Sequence, residues 1–186
     1  MAKIFLFRHA ETTDNVTKTF SGRRDPELTE KGIKEAEGIR DRLKNDKVTK
    51  AYSAPNQRTK HTLQIVLEPH PDVETVVADP RIRERDYGDL TGKNKDQIAK
   101  LYPKDYPLWH RGYDTPPPNG ESLKDAEERV LPFINELVEN VWQNDVILIC
   151  VSANIVRAFR RYFEKMTPEE MCSFEHEPGK VYEYTV

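Results

Sequence analysis

The chain has 186 residues, of which 37% are hydrophobic and 33% charged, and its formal net charge is −3. This length fits one domain with a buried core, and the balance of apolar and charged residues is typical of a globular protein rather than a disordered one. The acidic charge argues against non-specific nucleic-acid binding, and no apolar run approaches the roughly 20 residues that span a bilayer. Cys150 and Cys172 form neither a disulfide framework nor a metal-ligand spacing, which predicts a cytoplasmic protein.

Apolar runs that predict buried strands alternate with helical patterns along the chain. In chain order, the predicted elements are a strand at Lys3–Phe7, a helix at Thr29–Lys44, a strand at Val48–Ser53, a helix at Gln57–Leu67, a long helix from Ser122, a strand at Val146–Val151, helices at Asn154–Phe163 and from Thr167, and a strand at Lys180–Val186. Ile33 is predicted on the buried face of the first helix, and Pro132 is predicted to kink the long helix or mark its first turn. This alternation predicts a three-layer α/β/α sandwich with a mostly parallel central sheet.

The stretch from Asp79 to Gly120 is the exception to this alternation. It carries most of the prolines and aromatic residues and is too long for an ordinary connection. Insertions of this kind usually bind ligands or cover a site. We therefore expect one domain over residues 1–186, with an insertion at about 79–120 that forms a substrate lid.

Polar groups suited to an anion follow three predicted strands. Arg8 and His9 come directly after the first strand, Arg58 lies just past the second, and Ser152–Asn154 opens the helix after the late strand. Ligands of open α/β sheets bind at this edge, and the free N–H groups of Ala153 and Asn154 at a helix start favour anions. The insertion adds Arg81, Arg83, Glu84 and Arg85. Spacing alone also permits solvated loops, a surface arginine on a helix and an exposed edge strand of alternating charge.

A resemblance to a known family makes this interpretation more specific. The segment Phe7–Asn15 resembles the Arg-His-Gly signature of the histidine phosphatase superfamily, and further segments resemble its 2,3-bisphosphoglycerate-dependent phosphoglycerate mutases. The similar segments are Phe20–Asp25, Leu28–Gly32, Glu35–Ala36, Tyr52–Ser53, Arg58, Glu84–Lys95, Trp109–Pro118 and Gly120–Asp125. The segments within the insertion indicate the mutase branch, because simple phosphatases of the superfamily usually lack them.

The resemblance implies a role for each matching residue. His9 would be the nucleophile that becomes phosphohistidine, Arg8 and Arg58 would hold the transferring phosphoryl group, and Asn15 would add a donor. Arginine suits this role because its planar fork gives phosphate oxygens two hydrogen bonds. Glu84 matches the general acid/base. Substrate contacts are implied for Ser21, Gly22, Tyr87, Lys95, His110 and Arg111.

The sequence departs from the family at one catalytic position. The family has a second histidine five residues before the arginine that matches Arg157, and Ser152 stands there instead. Three explanations remain open: a weaker bond from Ser152 together with the helix start at Asn154, a substitute side chain such as His61 or His110, or a catalytically weakened site. We expect His70 and His176 to be surface loop residues.

The resemblance implies a mutase that interconverts 3-phosphoglycerate and 2-phosphoglycerate, primed by 2,3-bisphosphoglycerate and requiring no metal. A phosphatase of small phosphorylated metabolites is the alternative, favoured by Ser152 and by a final segment shorter than the tail of many mutases. A phospholigand-binding homologue without turnover is the third. In each case the expected partner is a small phosphorylated molecule rather than nucleic acid or membrane, and a homodimer is compatible with the family.

Overall fold

The structure is a computed structural model that describes residues 1–186. Its strands are β1 (Lys3–Arg8), β2 (Lys50–Ser53), β3 (Thr75–Ala78), β4 (Val146–Val151) and β5 (Val181–Thr185). Its helices are α1 (Thr13–Val16), α2 (Glu30–Leu43), α3 (Gln57–Leu67), α4 (Lys95–Leu101), α5 (Tyr106–Arg111), α6 (Leu123–Glu139), α7 (Ala153–Glu164) and α8 (Pro168–Ser173), with 3-10 helices at Pro80–Ile82 and Gly88–Leu90.

The five strands form one sheet in the order β3-β2-β4-β1-β5. The first four are parallel to their neighbours, and β5 runs antiparallel to β1. Both faces of the sheet are buried because successive side chains of a strand point to opposite sides. Ile4 of β1 packs in a cluster with α6 and α7, whereas Phe5 packs in a second cluster with α2 and α3. The predicted α/β/α sandwich with a mostly parallel sheet is confirmed.

Two local expectations differ from the structure, and one alternative for Pro132 is excluded. Strand β3 was not predicted, because Val76 and Val77 lie exposed at the edge of the sheet and make no continuous apolar run. Ile33 is 37% exposed rather than buried. Pro132 lies inside α6, which excludes the first-turn alternative and leaves the kink as a prediction. None of the helices is both long and apolar enough to cross a membrane.

The insertion is more ordered than its sequence indicates. It contains both 3-10 helices together with α4 and α5. Its residues Tyr87, Leu90 and Ile98 form a small cluster with Phe20, whose ring lies 4.8 Å from that of Tyr87, and Trp109 packs against this cluster. The cluster joins the insertion to the segment after α1, and the lid role remains a prediction.

The register of the sheet assembles the predicted site at one edge. Arg8 pairs with Val151 across β1 and β4, so the residues that follow them, His9 and Ser152, lie side by side. The next strand, β2, ends at Ser53 against Cys150, and α3 carries Arg58 back over the same edge. Polar groups far apart in sequence thus meet at the carboxyl ends of the three central strands.

Gly32 in α2 allows the chain after His9 to approach that helix closely. A Cβ at Gly32 would lie 2.1 Å from the carbonyl oxygen of Glu11. We expect Gly32→Ala to destabilise the protein by about 1–3 kcal/mol, the usual cost of overpacking, because backbone must move to relieve the clash. Urea unfolding measures the difference.

Gly38 in the same helix is the matched control. A Cβ at Gly38 would meet nothing within 4 Å. Gly38→Ala is therefore expected to stabilise the protein by about 0.5–1 kcal/mol, through helix propensity alone. Equal effects of the two substitutions would contradict the close approach at Glu11.

Candidate active site

His9 is buried directly after β1, with 7% of its surface exposed. Its Nδ1 lies 2.8 Å from the carbonyl oxygen of Ala10, which can only accept, so Nδ1 carries the proton and Nε2 keeps its lone pair. Burial lowers the pKa of His9 well below its usual value, and the charges of Arg8 and Arg58 lower it further. The imidazole is therefore neutral at physiological pH and can act as a nucleophile.

The guanidinium of Arg8 donates no hydrogen bond to any protein acceptor, and its Nε is buried. Burial lowers the pKa of Arg8, while the carboxylate of Glu84 opposes this effect. Arg8 lines two adjoining depressions. The first, the His9 groove, is bordered by Arg8, His9, Glu11, Asn15, Glu35 and Glu177–Gly179. The second, the insertion cavity, is bordered by Arg8, Asn15, Lys18, Tyr87, Lys95, His110, Arg111, Ala153, Asn154, Glu175 and His176.

Arg58 is 1% exposed and firmly held by backbone groups. Its Nη2 donates to the carbonyl oxygen of Gly22 at 2.9 Å, and its Nη1 donates to the carbonyl oxygen of Arg24. Gly22, a predicted substrate contact, thus orients Arg58 through its carbonyl group, and its φ of +50° suits glycine at this turn. Burial lowers the pKa of Arg58, and the carboxylate of Glu84 opposes this effect. Ser21 precedes this turn and is half-buried.

Ser152 is wholly buried at the position where the family has its second histidine. Its Oγ accepts a long hydrogen bond of 3.4 Å from Nη2 of Arg58, and its side chain does not cap α7. The hydroxyl is neutral and already engaged with Arg58. Ser152 therefore adds no charge to the site.

Glu84 is buried and held by two donors on the same oxygen. Its Oε1 accepts from the backbone N–H of Arg85 at 2.8 Å and from Nδ2 of Asn154 at 3.1 Å. The same Nδ2 donates to the hydroxyl of Tyr87 at 2.9 Å. Both amide hydrogens of Asn154 are thereby used, so this side chain orients Glu84 and Tyr87. Oε2 of Glu84 accepts no protein hydrogen bond and is left for chemistry.

Asn15 borders both the His9 groove and the insertion cavity. Its Oδ1 accepts from the backbone N–H and the hydroxyl of Thr12, at 3.0 and 3.1 Å, in the capping box of α1. These bonds fix the amide orientation and leave Nδ2 without a protein acceptor. Asn15 is thus a fixed donor beside Arg8.

The other predicted substrate contacts border the insertion cavity. Lys95, His110, Arg111 and Ala153 all line it. Arg111 forms an ion pair with Glu175 at 2.9 Å. Burial lowers the pKa of His110 to about 3, and the charge of Arg111 acts in the same direction, so His110 is neutral.

Several basic residues of the sequence lie elsewhere than expected. Arg81 forms ion pairs with Asp79 and Glu136 in a separate cavity between β3 and α6. Arg83 faces Glu121 at 3.6 Å, and Arg85 donates to backbone carbonyls of α5. These three arginines support the insertion and do not contribute to the phosphate cluster that their sequence suggested.

The structure also changes the assignment of the histidines. His61 is exposed on α3, where it lines a groove with Asp25 and Arg58 rather than the His9 groove. His176, predicted to be a surface loop residue, instead borders the insertion cavity, and its Nε2 is buried. That prediction was wrong because the loop before β5 forms a wall of the cavities that Arg8 also lines. No sequence signal marks this position.

Comparison with known proteins establishes the family. Residues 4–186 match the family model of the histidine phosphatase superfamily (branch 1), which covers nearly the whole chain. The chain belongs to the histidine phosphatase superfamily. The recognition made from the Phe7–Asn15 signature is thus confirmed.

The relatives include both mutases and phosphatases. The chain is 38% identical over 181 residues to the 2,3-bisphosphoglycerate-dependent phosphoglycerate mutase of Nitrobacter hamburgensis, with 95% of this chain and 87% of the relative covered. Among solved structures, Bacillus stearothermophilus YhfR has a TM-score of 0.90 at 25% identity, covering 100% of this chain and 92% of its own. The α-ribazole phosphatase of Shigella flexneri has a TM-score of 0.85 at 25% identity, covering 97% and 89%. The mutase relatives support an enzyme of that kind.

The donor set of the site fits a small molecule with two phosphate groups. The insertion cavity is lined by four basic side chains, those of Arg8, Lys18, Lys95 and Arg111, against one carboxylate, that of Glu175. Arg8 has donors without protein acceptors. The mutase relatives are, by their name, dependent on a ligand of this kind, 2,3-bisphosphoglycerate. No group of three or more His, Cys, Asp or Glu side chains is arranged to hold a metal ion, and a metal-free reaction remains a prediction.

Proposed function

We propose that the protein is a 2,3-bisphosphoglycerate-dependent phosphoglycerate mutase that interconverts 3-phosphoglycerate and 2-phosphoglycerate through phosphohistidine at His9. The observation that carries this proposal is the neutral His9, whose Nε2 lone pair is free beside the uncommitted guanidinium of Arg8. The names of the curated relatives and the basic lining of the insertion cavity support the substrate class.

In the first step Nε2 of His9 attacks phosphorus. The Nε2–P bond forms, the P–O bond to the glycerate oxygen breaks, and Glu84 gives a proton to the departing oxygen. Arg8 and Asn15 donate to the phosphoryl oxygens during the transfer. Arg58, fixed by Gly22 and Arg24, adds positive charge without reorganising.

In the second step Glu84, now a carboxylate, accepts the proton of a substrate hydroxyl. That hydroxyl oxygen forms a bond to phosphorus while the Nε2–P bond breaks, and His9 returns to its neutral state. Glu84 gives a proton in the first step and takes one in the second, so it can act in both directions of the interconversion. Lys95 and Arg111 would hold the remaining anionic groups of the substrate, so that either hydroxyl can face His9.

Labelled 2,3-bisphosphoglycerate tests this proposal. The purified protein is incubated with the label, any acid-labile phosphoprotein is trapped, and 3-phosphoglycerate is then added. We expect label to pass from protein to 2-phosphoglycerate. A phosphoprotein that releases only inorganic phosphate would replace the mutase with a phosphatase, and the lack of any phosphoprotein would indicate a binding protein.

The phosphatase is the second candidate, and Ser152 is the observation that favours it. A neutral hydroxyl replaces a charged donor at the site of transfer, and a phosphatase lies among the solved relatives at 25% identity. In that case water accepts the phosphoryl group from His9. The same labelling experiment separates the two reactions by the destination of the label.

Ser152→His is expected to raise the rate of phosphohistidine formation by about tenfold. One preorganised donor contributes on the order of 10²–10³ in turnover, and we expect a smaller gain because Arg58 already places charge beside this position. Quenched-flow labelling measures the rate. Ser152→Ala is the matched control, and thermal unfolding checks that both variants fold. An unchanged or slower rate in a folded Ser152→His variant would show that the site is adapted to serine.

We place this reaction in the cytoplasm and propose a homodimer. The cysteines support the first point, because Cys150 and Cys172 are both free, as in a reducing compartment. The uncovered edge of the sheet supports the homodimer, because an exposed edge strand can pair with another chain. Val76 and Val77 of this edge strand, β3, are 54% and 40% exposed.

A further inference from the structure

His176 occupies the loop between α8 and β5 and is held in a fixed orientation. Its ring contacts that of Phe174 edge to face at a centroid distance of 4.8 Å. The guanidinium of Arg160 in turn covers the Phe174 ring at 3.9 Å. His176 is thus packed by its neighbours, although Nε2, which is buried, has no hydrogen-bond partner.

The loop that carries His176 forms one wall of the candidate active site. His176 borders the insertion cavity together with Arg8, Ala153 and Asn154. The three residues that follow it, Glu177–Gly179, border the His9 groove. Arg8 belongs to both depressions, so His176 shares the insertion cavity with the uncommitted guanidinium.

Burial and the neighbouring positive charges keep His176 neutral. Burial and the charge of Arg8 together lower the pKa of His176 to about 3, although the backbone of Ala153 opposes this shift. A neutral imidazole carries one proton, and a phosphoryl oxygen next to Nε2 favours the tautomer with the proton there. The buried Nε2 then gains the hydrogen-bond partner that the protein does not provide. A buried polar atom that lacks such a partner costs free energy.

We propose that His176 is a further catalytic residue whose Nε2 donates a hydrogen bond to the phosphoryl group held by Arg8. It supplies, from a different part of the chain, the imidazole donor that Ser152 cannot supply. The inference rests on the proposed function to the extent that the ligand is a phosphoryl group in transfer to or from His9. It holds equally whether a substrate hydroxyl or water accepts that group.

Orthovanadate binding tests this role without requiring turnover. His176→Phe keeps an aromatic ring against Phe174 but removes both nitrogens, and His176→Gln restores an N–H donor. We expect His176→Phe to weaken orthovanadate binding by about 10²-fold, in line with the loss of one preorganised donor. His176→Gln is expected to recover most of the affinity, which a purely structural role would not predict.

His70→Phe is the matched control. His70 is also a partly buried loop histidine whose Nε2 lacks a partner, but it follows α3 at the opposite edge of the sheet. Its replacement should leave orthovanadate affinity unchanged. Wild-type affinity in His176→Phe would overturn the inference, as would equal losses in His176→Phe and His176→Gln, or no binding by any form of the protein. If the wild type released the label as inorganic phosphate, the mutase proposal would be overturned, whereas the proposed role of His176 would stand.

Discussion

His9→Ala is expected to abolish phosphoryl transfer while the protein remains folded. Removal of a nucleophile that forms a covalent intermediate typically lowers turnover by a factor on the order of 10⁴ or more. The fold should persist because His9 adds only one side-chain hydrogen bond, from Nδ1 to the neighbouring Ala10 carbonyl. The measurements are the yield of acid-labile phosphoprotein from labelled 2,3-bisphosphoglycerate, steady-state turnover, and the urea midpoint.

His70→Ala makes the same chemical change away from the site. It should leave the phosphoprotein yield at the wild-type level, since His70 follows α3 at the far edge of the sheet. Acid-labile phosphoprotein that persists in His9→Ala would show that another residue is the nucleophile. His176 would then be the first residue to test, because its imidazole borders the insertion cavity with Arg8 and has a buried nitrogen without a partner.

Glu84→Gln is expected to slow transfer by about 10²–10⁴, the usual contribution of a general acid/base. The geometry should survive, because the amide oxygen can still accept from the backbone of Arg85 and from Asn154. An amide cannot shuttle a proton, so kcat should fall more than KM rises. Substrates with a good leaving group, such as p-nitrophenyl phosphate, need no proton at that oxygen and should show a much smaller loss in the phosphorylation step.

Glu136→Gln is the control for this variant. Glu136 is a carboxylate of the separate cavity, where it pairs with Arg81. Its replacement should change neither the rate nor the leaving-group dependence. If Glu84→Gln slowed the two kinds of substrate equally, Glu84 would act by charge or position rather than by proton transfer.

Local sequence patterns predicted the elements that local forces determine. Helix α3 and strand β4 have the predicted bounds, because the apolar residues of α3 recur at helical spacing and β4 is a continuous apolar run. Strand β3 escaped prediction because its existence depends on pairing with β2 rather than on its own residues. Edge strands with exposed side chains carry little periodic signal.

The same distinction applies to the candidate site. Arg8, His9 and Ser152–Asn154 could be placed together because parallel strands bring their carboxyl ends to one edge. The role of the Asn154 side chain could not be foreseen, since its amide donates a hydrogen bond to the carboxylate of Glu84, 70 residues earlier in the chain. His176 had no local signal at all, because its position depends on the path of the loop into β5.

The position of β1 in the sheet has a consequence for synthesis on the ribosome. This strand lies between β4 and β5, both of which come from the last quarter of the chain. His9 is therefore translated among the first residues, yet it cannot be enclosed until nearly all the others have left the exit tunnel. Long-range pairing of this kind delays folding and leaves early hydrophobic segments exposed. Ile4, Phe5 and Leu6 are such a segment, which stays without its partner strands until β4 and β5 have been translated.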